Sequence, residues 1–366
     1  GVNGLQGQGI WSFLEDSEGN LWVGTLDAGL NRYDPASGVW RHYPAESSEA
    51  DALPTDSIVE LFEDEQGTIW LGTTDAGIVA FDRESETFSA TQAPAWVLAI
   101  HEDRSGQMWL GGFGGLGKLD REEGQIELLT NDESDPTSIS DNGVVTIAED
   151  EQGLLWIGTF NGGLNKFDSA AETFTRYEHD PDNPNSPGSN MILDLLIASD
   201  GVMWLGTSGG LDRFDPQSET FTHYGEEDGL PNETIYAVLE DEQGDIWFSS
   251  NLGISELDPA TGSLRNFDVD DGLQSNEFNQ SAAYKATSGE MFFGGVLGYN
   301  VFHPDQIQDS SYMPPVVITD FQLFNESVLP GDSSPLANPI EQTEDIELSY
   351  TDDFLTFEFA ALDYSA

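Results

Sequence analysis

The chain has 366 residues, and its 68 Asp and Glu against 11 Lys and Arg give a formal net charge of −57. A nucleic acid would be repelled from nearly every face of such a polyanion, so nucleic acid is excluded as a partner. Cysteine is absent, which excludes disulfides and thiolate metal sites, and no stretch reaches the roughly 18 consecutive apolar residues of a membrane span.

The acidic residues are spread through the whole chain rather than gathered in runs. Like charges at this density repel one another in dilute buffer. Salt of about 1 M shortens the Debye length to roughly 3 Å and screens most of that repulsion. We therefore interpret the charge as an adaptation to a halophilic habitat. A cation-binding or nucleic-acid-mimicking surface would need acid concentrated in runs.

One frame, in which Gly stands three residues before a large aromatic, recurs seven times. The aromatic residues lie 39 to 48 residues apart, at Trp22, Trp70, Trp109, Trp156, Trp204, Trp247 and Phe292. That period is typical of a four-stranded propeller blade. Asp stands six residues before the aromatic in five frames, at Asp16, Asp64, Asp103, Asp150 and Asp241. Because this Asp repeats with the blade, we predict that it is structural.

The fourth frame shows all four strands of one blade. An Asp-x-x-Gly turn at 150–153 and an Asn-Gly-Gly turn at 161–163 separate short alternating segments. The predicted strands are 143–149, 154–159, 164–168 and 173–177. Four strands per repeat is the composition of a propeller blade.

The pattern changes after the seventh frame, so we divide the chain into a domain over 1–308 and a second over 309–366. Strands are predicted at 314–323, 346–350 and 355–360, which resembles the first half of a β-sandwich. Half a sandwich leaves an open edge, so we expect more protein after Ala366. Residues 4–8 match an inter-blade stretch, so the strand that should precede them is missing. We expect the ring to close non-covalently, without a swapped strand.

Two parts of the chain, the repeat region and the tail, carry a family resemblance. The run at 155–168 and the spacer at 180–186 resemble the two-component regulator propeller repeat. The tail segments at 315–321 and 357–364 are similar to the start of the three-tyrosine (Y_Y_Y) domain, an immunoglobulin-like module. The resemblance implies an all-β chain, with a seven-bladed β-propeller of four-stranded blades followed by an incomplete immunoglobulin-like β-sandwich.

The same resemblance implies a function. In that family such segments form the extracytoplasmic ligand-sensing region of a membrane-bound receptor, often a histidine kinase, and several members recognise oligosaccharides. We therefore expect a non-enzymatic sensor on the periplasmic or extracellular side of the cytoplasmic membrane. It would act as a homodimer, reach the membrane only through downstream segments, and bind a small molecule or an oligosaccharide.

No catalytic motif supports a different class. His-x-x-x-His, Gly-x-Ser-x-Gly and phosphate-binding loops are absent. We predict His42, His179 and His223 at the surface, and His101 at the end of an inner strand with a structural role at the turn that follows. No catalytic residue, metal ligand or cofactor is expected, although a structural or bridging Ca²⁺ stays open. The alternatives are a propeller-fold polysaccharide lyase or hydrolase, and a platform for protein–protein interaction.

A ligand site is predicted where loops surround the central channel. Loops that enter the inner strands share a face with the turns between second and third strands, and concave pockets form there. Carboxylates and amides on this face offer hydrogen bonds to hydroxyls, and aromatic rings offer flat apolar surfaces. The alternative for Phe113 and Phe160 is that they only fill gaps between blades. The candidate residues are Asp27, Asp56, Asp75, Trp96, Phe113, Asn142, Phe160, Asn161, Asn190, Glu233 and Asn251.

Overall fold

Antiparallel β-strands form nearly all of the regular structure, as the all-β prediction requires. The structure is a computed structural model that describes residues 4–45, 51–91, 93, 96–307, 316–331, 334–343 and 345–361. The chain divides into two compact units, Gly1–Gln306 and Ile307–Ala366. The described helices are single 3₁₀ turns, at Glu226–Asp228, Val269–Asp271, Pro304–Gln306 and Ile340–Gln342.

Seven consecutive sheets lie in the first unit, and we number them 1 to 7 along the chain. Sheets 1 and 2 consist of β1 (Ile10–Glu15), β2 (Leu21–Thr25), β3 (Leu30–Asp34) and β4 (Val39–Tyr43), then β5 (Ile58–Glu63), β6 (Ile69–Thr73), β7 (Ile78–Asp82) and β8 (Thr87–Thr91). Sheets 3 and 4 consist of β9 (Val97–Glu102), β10 (Met108–Gly112), β11 (Leu116–Asp120) and β12 (Gln125–Leu129), then β13 (Val144–Glu149), β14 (Leu155–Thr159), β15 (Leu164–Asp168) and β16 (Thr173–Tyr177).

Sheets 5 to 7 continue the same order. Sheets 5 and 6 consist of β17 (Ile192–Ile197), β18 (Met203–Thr207), β19 (Gly210–Asp215) and β20 (Thr220–Tyr224), then β21 (Ile235–Glu240), β22 (Ile246–Ser250), β23 (Gly253–Asp258) and β24 (Ser263–Phe267). Sheet 7 has three strands, β25 (Phe278–Lys285), β26 (Met291–Gly295) and β27 (Gly298–Phe302). In every sheet the strands pair in chain order, so each is a simple meander.

The recurring Asp builds the turn between the first and second strands, which confirms its structural role. In sheet 4, Oδ1 of Asp150 accepts the backbone N–H groups of Gln152 (2.9 Å) and Leu154 (3.0 Å), while Oδ2 accepts the indole N–H of Trp156 (2.8 Å). The other four Asp residues also accept the indole N–H of their Trp, at 2.7 to 3.0 Å. One carboxylate therefore fixes both the turn and the ring that follows it.

The Trp rings form the core between neighbouring sheets. The ring of Trp156 in sheet 4 packs edge-on against Phe214 of sheet 5, with centroids 5.5 Å apart, and stacks on Tyr177 of its own sheet. The pair Trp109 and Phe167 repeats this contact between sheets 3 and 4 at 5.4 Å. Each blade thus buries its large aromatic against the next one, and burial of such rings dominates core energetics.

The first strands of the seven sheets contact one another in succession, and β25 contacts β1, so they form a closed ring. Glu residues at the ends of the first strands strengthen this ring. Glu63 accepts the N–H and the hydroxyl of Ser17 in sheet 1, both at 2.6 Å, and Glu15 accepts the N–H of Thr287 in sheet 7 at 2.8 Å. The last contact joins sheet 7 to sheet 1. Every described strand of sheet 1 comes from residues 10–43, so no strand is swapped there.

The second unit contains one three-stranded sheet in the order β29–β28–β30, formed by β28 (Val316–Leu323), β29 (Glu326–Ser327) and β30 (Leu355–Ala361). The prediction of a strand at 346–350 is wrong. Both neighbours of β28 are other strands, so 346–350 has no pairing partner among the described residues and Tyr350 is 97 % exposed. Residues 314–315 and 362–364 lie outside the described residues.

Candidate functional site

The loops that enter the first strands and the turns between second and third strands lie on one face. Within single sheets, backbone N–H groups of Leu26, Thr74, Phe160 and Ser208 donate to carbonyls of Gly9, Ser57, Gly143 and Met191, at 2.8 to 3.4 Å. We call this surface the loop face. It comprises residues 6–9, 26–29, 53–57, 74–77, 96, 112–115, 139–143, 160–163, 187–191, 208–209, 231–234, 251–252, 274–277 and 296–297.

Three aromatic candidates meet in a row on the loop face. The ring centroids of Trp96 and Phe113 are 6.0 Å apart, and those of Phe113 and Phe160 are 5.7 Å apart, both in edge-to-face contact. Trp96 is 39 % exposed and Phe113 is 46 % exposed, while Phe160 is half-buried. A shallow apolar recess lined by Trp96, Leu110, Gly112 and Leu128 lies beside the row. The rings therefore present apolar surface to solvent as well as contacting one another.

Sheet 3 departs from the repeat where this row begins. Trp96 has a φ of +62°, a left-handed conformation that is a genuine outlier for a bulky residue. Gly112 stands where the second strands of sheets 1, 2, 4 and 5 end in Thr, and a Cβ at Gly112 would lie 2.1 Å from the Trp96 carbonyl oxygen. The Gly111–Gly115 segment therefore permits the backbone of Trp96 to approach, and this places the indole beside Phe113.

Three polar candidates already use side-chain oxygens to hold loops. Asp56, Asn142 and Asn190 each accept a backbone N–H through Oδ1 at 2.7 Å, from Ala45, Asn131 and His179 respectively. Their carbonyl oxygens accept N–H groups from the neighbouring turns at 2.8 to 2.9 Å. These three side chains are therefore parts of the scaffold.

The other candidates are distributed around the face rather than gathered at the aromatic row. Asn161 is exposed and follows Phe160 directly, so it lies at the end of the row. Asp27, Asp75 and Glu233 are exposed on sheets 1, 2 and 6, and Asn251 is half-buried on sheet 6. The structure thus groups Trp96, Phe113, Phe160 and Asn161, together with Asn142 at the Phe113 turn.

Sequence reasoning missed the aliphatic residues on the same face. Leu26, Leu252 and Leu297 are 38 %, 46 % and 61 % exposed on the turns of sheets 1, 6 and 7. A signal existed, because these positions lie one or two residues after the small residues that end the second strand, as Phe113 and Phe160 do. The loop face is therefore more apolar than the overall composition indicates.

Two carboxyl groups lie inside the ring of first strands. Glu60 in β5 and Asp194 in β17 occupy the same register position, opposite Gly72 and Gly206. Burial, with the negative charge of Asp194 as a second cause, raises the pKa of Glu60 to about 8. Burial also raises the pKa of Asp194 to about 6, although its carboxylate accepts N–H groups from Val238 (2.8 Å) and Leu195 (2.9 Å).

The histidines do not form a site on the loop face. His101 lies near the end of β9, as predicted; its Nε2 is 3.5 Å from Glu149, and burial lowers its pKa. His42, His179 and His223 are exposed, as predicted, and Nδ1 of His223 is 2.8 Å from the buried carboxylate of Asp212. That contact raises the pKa of His223.

One carboxylate cluster has the spacing of a metal site. Oxygen atoms of Asp241, Asp245 and Glu256 in sheet 6 lie within 4.8 Å of one another. Burial, followed by the charge of Asp241, raises the pKa of Asp245. Two of the three carboxylates already have partners, since Asp241 accepts the Trp247 indole N–H and Glu256 is paired with Arg265. The cluster belongs to the Asp turn, at the end of the sheet away from the loop face.

A cleft of about 1030 Å³ also lies away from the loop face, between sheets 1 and 2. Its walls include the Asp turn at 63–68 and the segment around Arg83. Arg83 bridges the carboxylates of Asp16 and Glu63 and donates to the Gly67 carbonyl oxygen. This side chain fastens two sheets, so we assign the cleft to the scaffold and keep the aromatic row as the candidate site.

Comparison with known proteins agrees with this architecture. The family described as two component regulator propeller matches residues 4–27, 52–75, 138–161, 186–209 and 229–251. The chain carries two-component regulator propeller repeats. The matched segments are the first halves of sheets 1, 2, 4, 5 and 6. Sheet 3, which carries Trp96 and Phe113, lies outside the matched regulator-propeller repeats.

Two similar proteins carry names from two-component signalling. The chain is 24 % identical over 270 residues to histidine kinase P4 of Formosa agariphila. That alignment covers 72 % of this chain and 20 % of the kinase. The chain is 26 % identical to the extracellular domain assigned to the hybrid two component system BT3049 of B. thetaiotaomicron. The two structures superimpose with a TM-score of 0.77 over 98 % of this chain and 47 % of the BT3049 domain. The chain therefore spans a fifth of the kinase and about half of the solved domain.

A second group of solved structures shares the fold alone. Virginiamycin B lyase of Staphylococcus aureus is 15 % identical with a TM-score of 0.63, covering 80 % of this chain and 94 % of the lyase. The regulator-propeller chain thus resembles extracellular domains of two-component systems in sequence and fold, and propeller lyases in fold. Within the described ranges, no helix combines the length and the apolar character needed to span a membrane.

Proposed function

We propose that this chain is the extracytoplasmic ligand-sensing region of a membrane-bound receptor of the two-component histidine kinase type. The regulator-propeller repeats and the likeness to the BT3049 extracellular domain support this proposal. The chain itself would bind a ligand and catalyse no reaction. Any kinase activity would lie in other domains of the receptor, on the other side of the membrane.

We infer the finer architecture from the ring of first strands. Seven sheets whose first strands close on themselves correspond to a seven-bladed β-propeller, with β25–β27 as the blade of three described strands. The second unit fits the start of an immunoglobulin-like sandwich. In its sheet, Phe357 and Phe359 are 45 % and 72 % exposed on one face of β30, and a second sheet would cover such a face.

The ligand site we propose is the aromatic row of Trp96, Phe113 and Phe160, with Asn161 at its end. The observation that carries this proposal is the departure of sheet 3 from the repeat, because the outlying φ of Trp96 and the Gly-rich turn occur together at the row. Strained backbone conformations cost about 1–3 kcal/mol each and cluster at ligand-binding positions. A residue that only filled the core would not need this conformation.

An uncharged carbohydrate fits this row best. Sugar rings have apolar faces that pack on aromatic side chains, and their hydroxyls bond to carboxylate and amide groups such as those of Asn142 and Asn161. The net charge of −57 disfavours sulfated sugars and uronic acids, which would be repelled. We therefore propose a neutral oligosaccharide as the ligand, with no cofactor required.

The test is calorimetric titration of the 366-residue chain with a panel of neutral oligosaccharides, in about 2 M KCl so that charge repulsion is screened. Trp96→Ala and Phe160→Ala are the site variants, and Leu297→Ala is the control, because Leu297 is exposed on the same face in sheet 7. We expect the site variants to weaken binding at least tenfold and the control to change it less than twofold. Equal effects of all three variants would contradict the proposed location.

The same samples test the enzymatic alternative. Each oligosaccharide is incubated with the chain and its products are analysed by mass spectrometry. We expect the intact oligosaccharide to be recovered. Cleaved or unsaturated products would overturn the non-enzymatic assignment and favour a propeller lyase or hydrolase. Failure of every sugar to bind would favour a protein partner.

A further inference from the structure

Two long loops have the same internal structure. They lie at 131–142 before β13 and at 178–190 before β17. In the first, the N–H of Asp132 donates to the Ser138 hydroxyl at 2.8 Å. In the second, the N–H of Asp180 donates to the Ser186 hydroxyl at 2.9 Å. The two loops are therefore equivalent elements of neighbouring sheets, and the residues that hold them can be compared position by position.

The first loop is held by a permanent cation. Arg176 in β16 donates from Nε to the Ser138 carbonyl oxygen (2.8 Å) and from a terminal nitrogen to the Asp135 carbonyl oxygen (2.9 Å). Its cross-strand neighbour Asn165 accepts the N–H of Ser140 at 3.0 Å. Because guanidinium keeps its charge at every accessible pH, this attachment does not depend on pH.

The second loop is held at the same two positions by a titratable pair. His223 occupies in β20 the position of Arg176, and Asp212 occupies in β19 the position of Asn165. The imidazole places Nδ1 at 2.8 Å from Asp212 Oδ1 and Nε2 at 3.2 Å from the Pro184 carbonyl oxygen. The other oxygen of Asp212 accepts the N–H of Gly188 at 2.7 Å. His223 and Asp212 thus both contact the loop.

The chemistry of these contacts favours the imidazolium. A carboxylate and a carbonyl oxygen are acceptors only, so both contacts are hydrogen bonds only when both ring nitrogens of His223 donate, and only the imidazolium carries two N–H groups. A neutral ring would turn a lone pair toward Pro184 or toward Asp212. Asp212 is fully buried, so loss of the imidazolium would also leave its charge without a cation.

We propose that His223 and Asp212 form a pH-sensitive clasp that holds the 178–190 loop while His223 is protonated and releases it when His223 loses its proton. This inference is independent of the proposed ligand. The loop borders the candidate site, because the Asn190 carbonyl oxygen accepts the N–H of Gly163 at 2.9 Å, in the turn that carries Asn161. Release of the loop would therefore disturb the turn that carries Asn161 on the loop face.

The groups around the imidazole support this assignment. Asp212 is the charged side chain that contacts it, and Phe221 of the same strand stacks at 6.5 Å. From the loop, Asp180 and Asp182 are exposed and contribute weak negative charge, and His179 has its Nδ1 2.7 Å from the Pro187 carbonyl oxygen. The hydrogen bond to Asp212 raises the pKa of His223, and partial burial opposes it. Release is thus expected above the ordinary His range.

The experiment is hydrogen–deuterium exchange of the 366-residue chain from pH 5.5 to pH 9 in about 2 M KCl, corrected for intrinsic exchange rates. The 131–142 loop is the internal control. We expect protection of 178–190 to fall at least tenfold relative to 131–142 as the pH rises, with a midpoint above 6.5. A ratio that stays constant within twofold over this range would overturn the proposal.

Two variants identify the sensing residue. His223→Arg reproduces the permanent clasp of the first loop, and we expect the protection ratio to become independent of pH. Asp212→Asn removes the counter-ion, and we expect the midpoint to move to lower pH. If His223→Arg keeps the full pH dependence, another group such as His179 is the sensor and the assignment is wrong. Nitrogen NMR of His223 checks the premise, since both ring nitrogens must carry protons below the midpoint.

Discussion

Replacement of Asp150 by Ala tests how much of the fold depends on the carboxylate at the start of each frame. Oδ2 of Asp150 accepts the indole N–H of Trp156, and Oδ1 accepts two backbone N–H groups of the turn. Asp150 is 8 % exposed and Trp156 is 2 % exposed, so water cannot readily replace the carboxylate. The substitution leaves a buried donor without a partner and loosens the turn.

The expected loss of unfolding free energy is about 3 kcal/mol. A hydrogen bond to a charged group contributes roughly 1.5–3 kcal/mol, and an unsatisfied buried donor costs about 1–3 kcal/mol. These contributions overlap, because the same three bonds are counted in both, so they are not summed. Two bonds of the turn persist, from Gly153 N–H to the Asp150 carbonyl and from Asp150 N–H to the Leu154 carbonyl.

The assay is urea unfolding followed by Trp fluorescence in about 2 M KCl. All nine Trp residues lie within Gly1–Gln306, so the signal reports this unit alone. Asp120→Ala is the control, because exposed Asp120 also accepts two backbone N–H groups at 2.9 Å but contacts no indole. We expect this variant to lower the unfolding free energy by about 0.5–1 kcal/mol. If Asp150→Ala costs no more than Asp120→Ala, the indole contact does not stabilise the blade and the reasoning fails.

Three further predictions concern the ring and the aromatic row. The folded state keeps a proton on Glu60 up to about pH 8, whereas an ordinary Glu releases it near 4.5, so the unfolding free energy should fall between these values as the pH rises. Because solvent partly reaches Glu60, we expect a fall of about 1–3 kcal/mol. Urea titrations at each pH measure it, and Glu60→Gln should abolish it. Arg83→Ala should lower the unfolding free energy by about 2–3 kcal/mol, because this side chain bridges carboxylates of sheets 1 and 2. Arg41→Ala, which removes an exposed ion pair, should lower it by under about 1 kcal/mol. Equal losses for the two variants in urea unfolding would contradict the bridging role of Arg83. Trp96→Gly should lower the unfolding free energy by at most about 2 kcal/mol while abolishing ligand binding, because Gly adopts the positive φ freely and this relief of about 1–3 kcal/mol offsets part of the lost indole burial; a loss above about 4 kcal/mol would show that the indole serves packing.

The parts of the fold that sequence predicts are those set by neighbours along the chain. In the five frames that carry the Asp, it lies within seven residues of the Gly and the Trp, so the turn and the second strand follow from local chemistry. In sheet 4 the third and fourth strands fall at the predicted residues, and the first two begin one residue later than predicted. The false strand at 346–350 shows the limit. Alternation indicates a strand only where another strand pairs with it, and the sequence does not show the partner.

Long-range contacts explain which features the sequence could not predict. The bond between Thr287 and Glu15 joins residues 272 positions apart, and it depends on the ring closing. The pair of Asp212 and His223 depends on the cross-strand register of β19 and β20, which fixes which side chains face each other. Single residue types gave no warning of either contact, because Glu and Asp are abundant everywhere in this chain.

The aromatic row, our proposed ligand site, is the feature that distinguishes sheet 3 from the repeat. Six frames carry the same Trp, and each of those rings is buried or half-buried at its own sheet, so repetition assigns them to the scaffold. Trp96 lies outside the frame, remains 39 % exposed and has a conformation that costs free energy. Packing offsets only part of that free energy, because Trp96 contacts Phe113 by an edge of the ring and keeps 39 % of its surface exposed. The local rules of the repeat are broken where Trp96, Phe113 and Phe160 meet on the loop face, and such local violations are expected at functional sites.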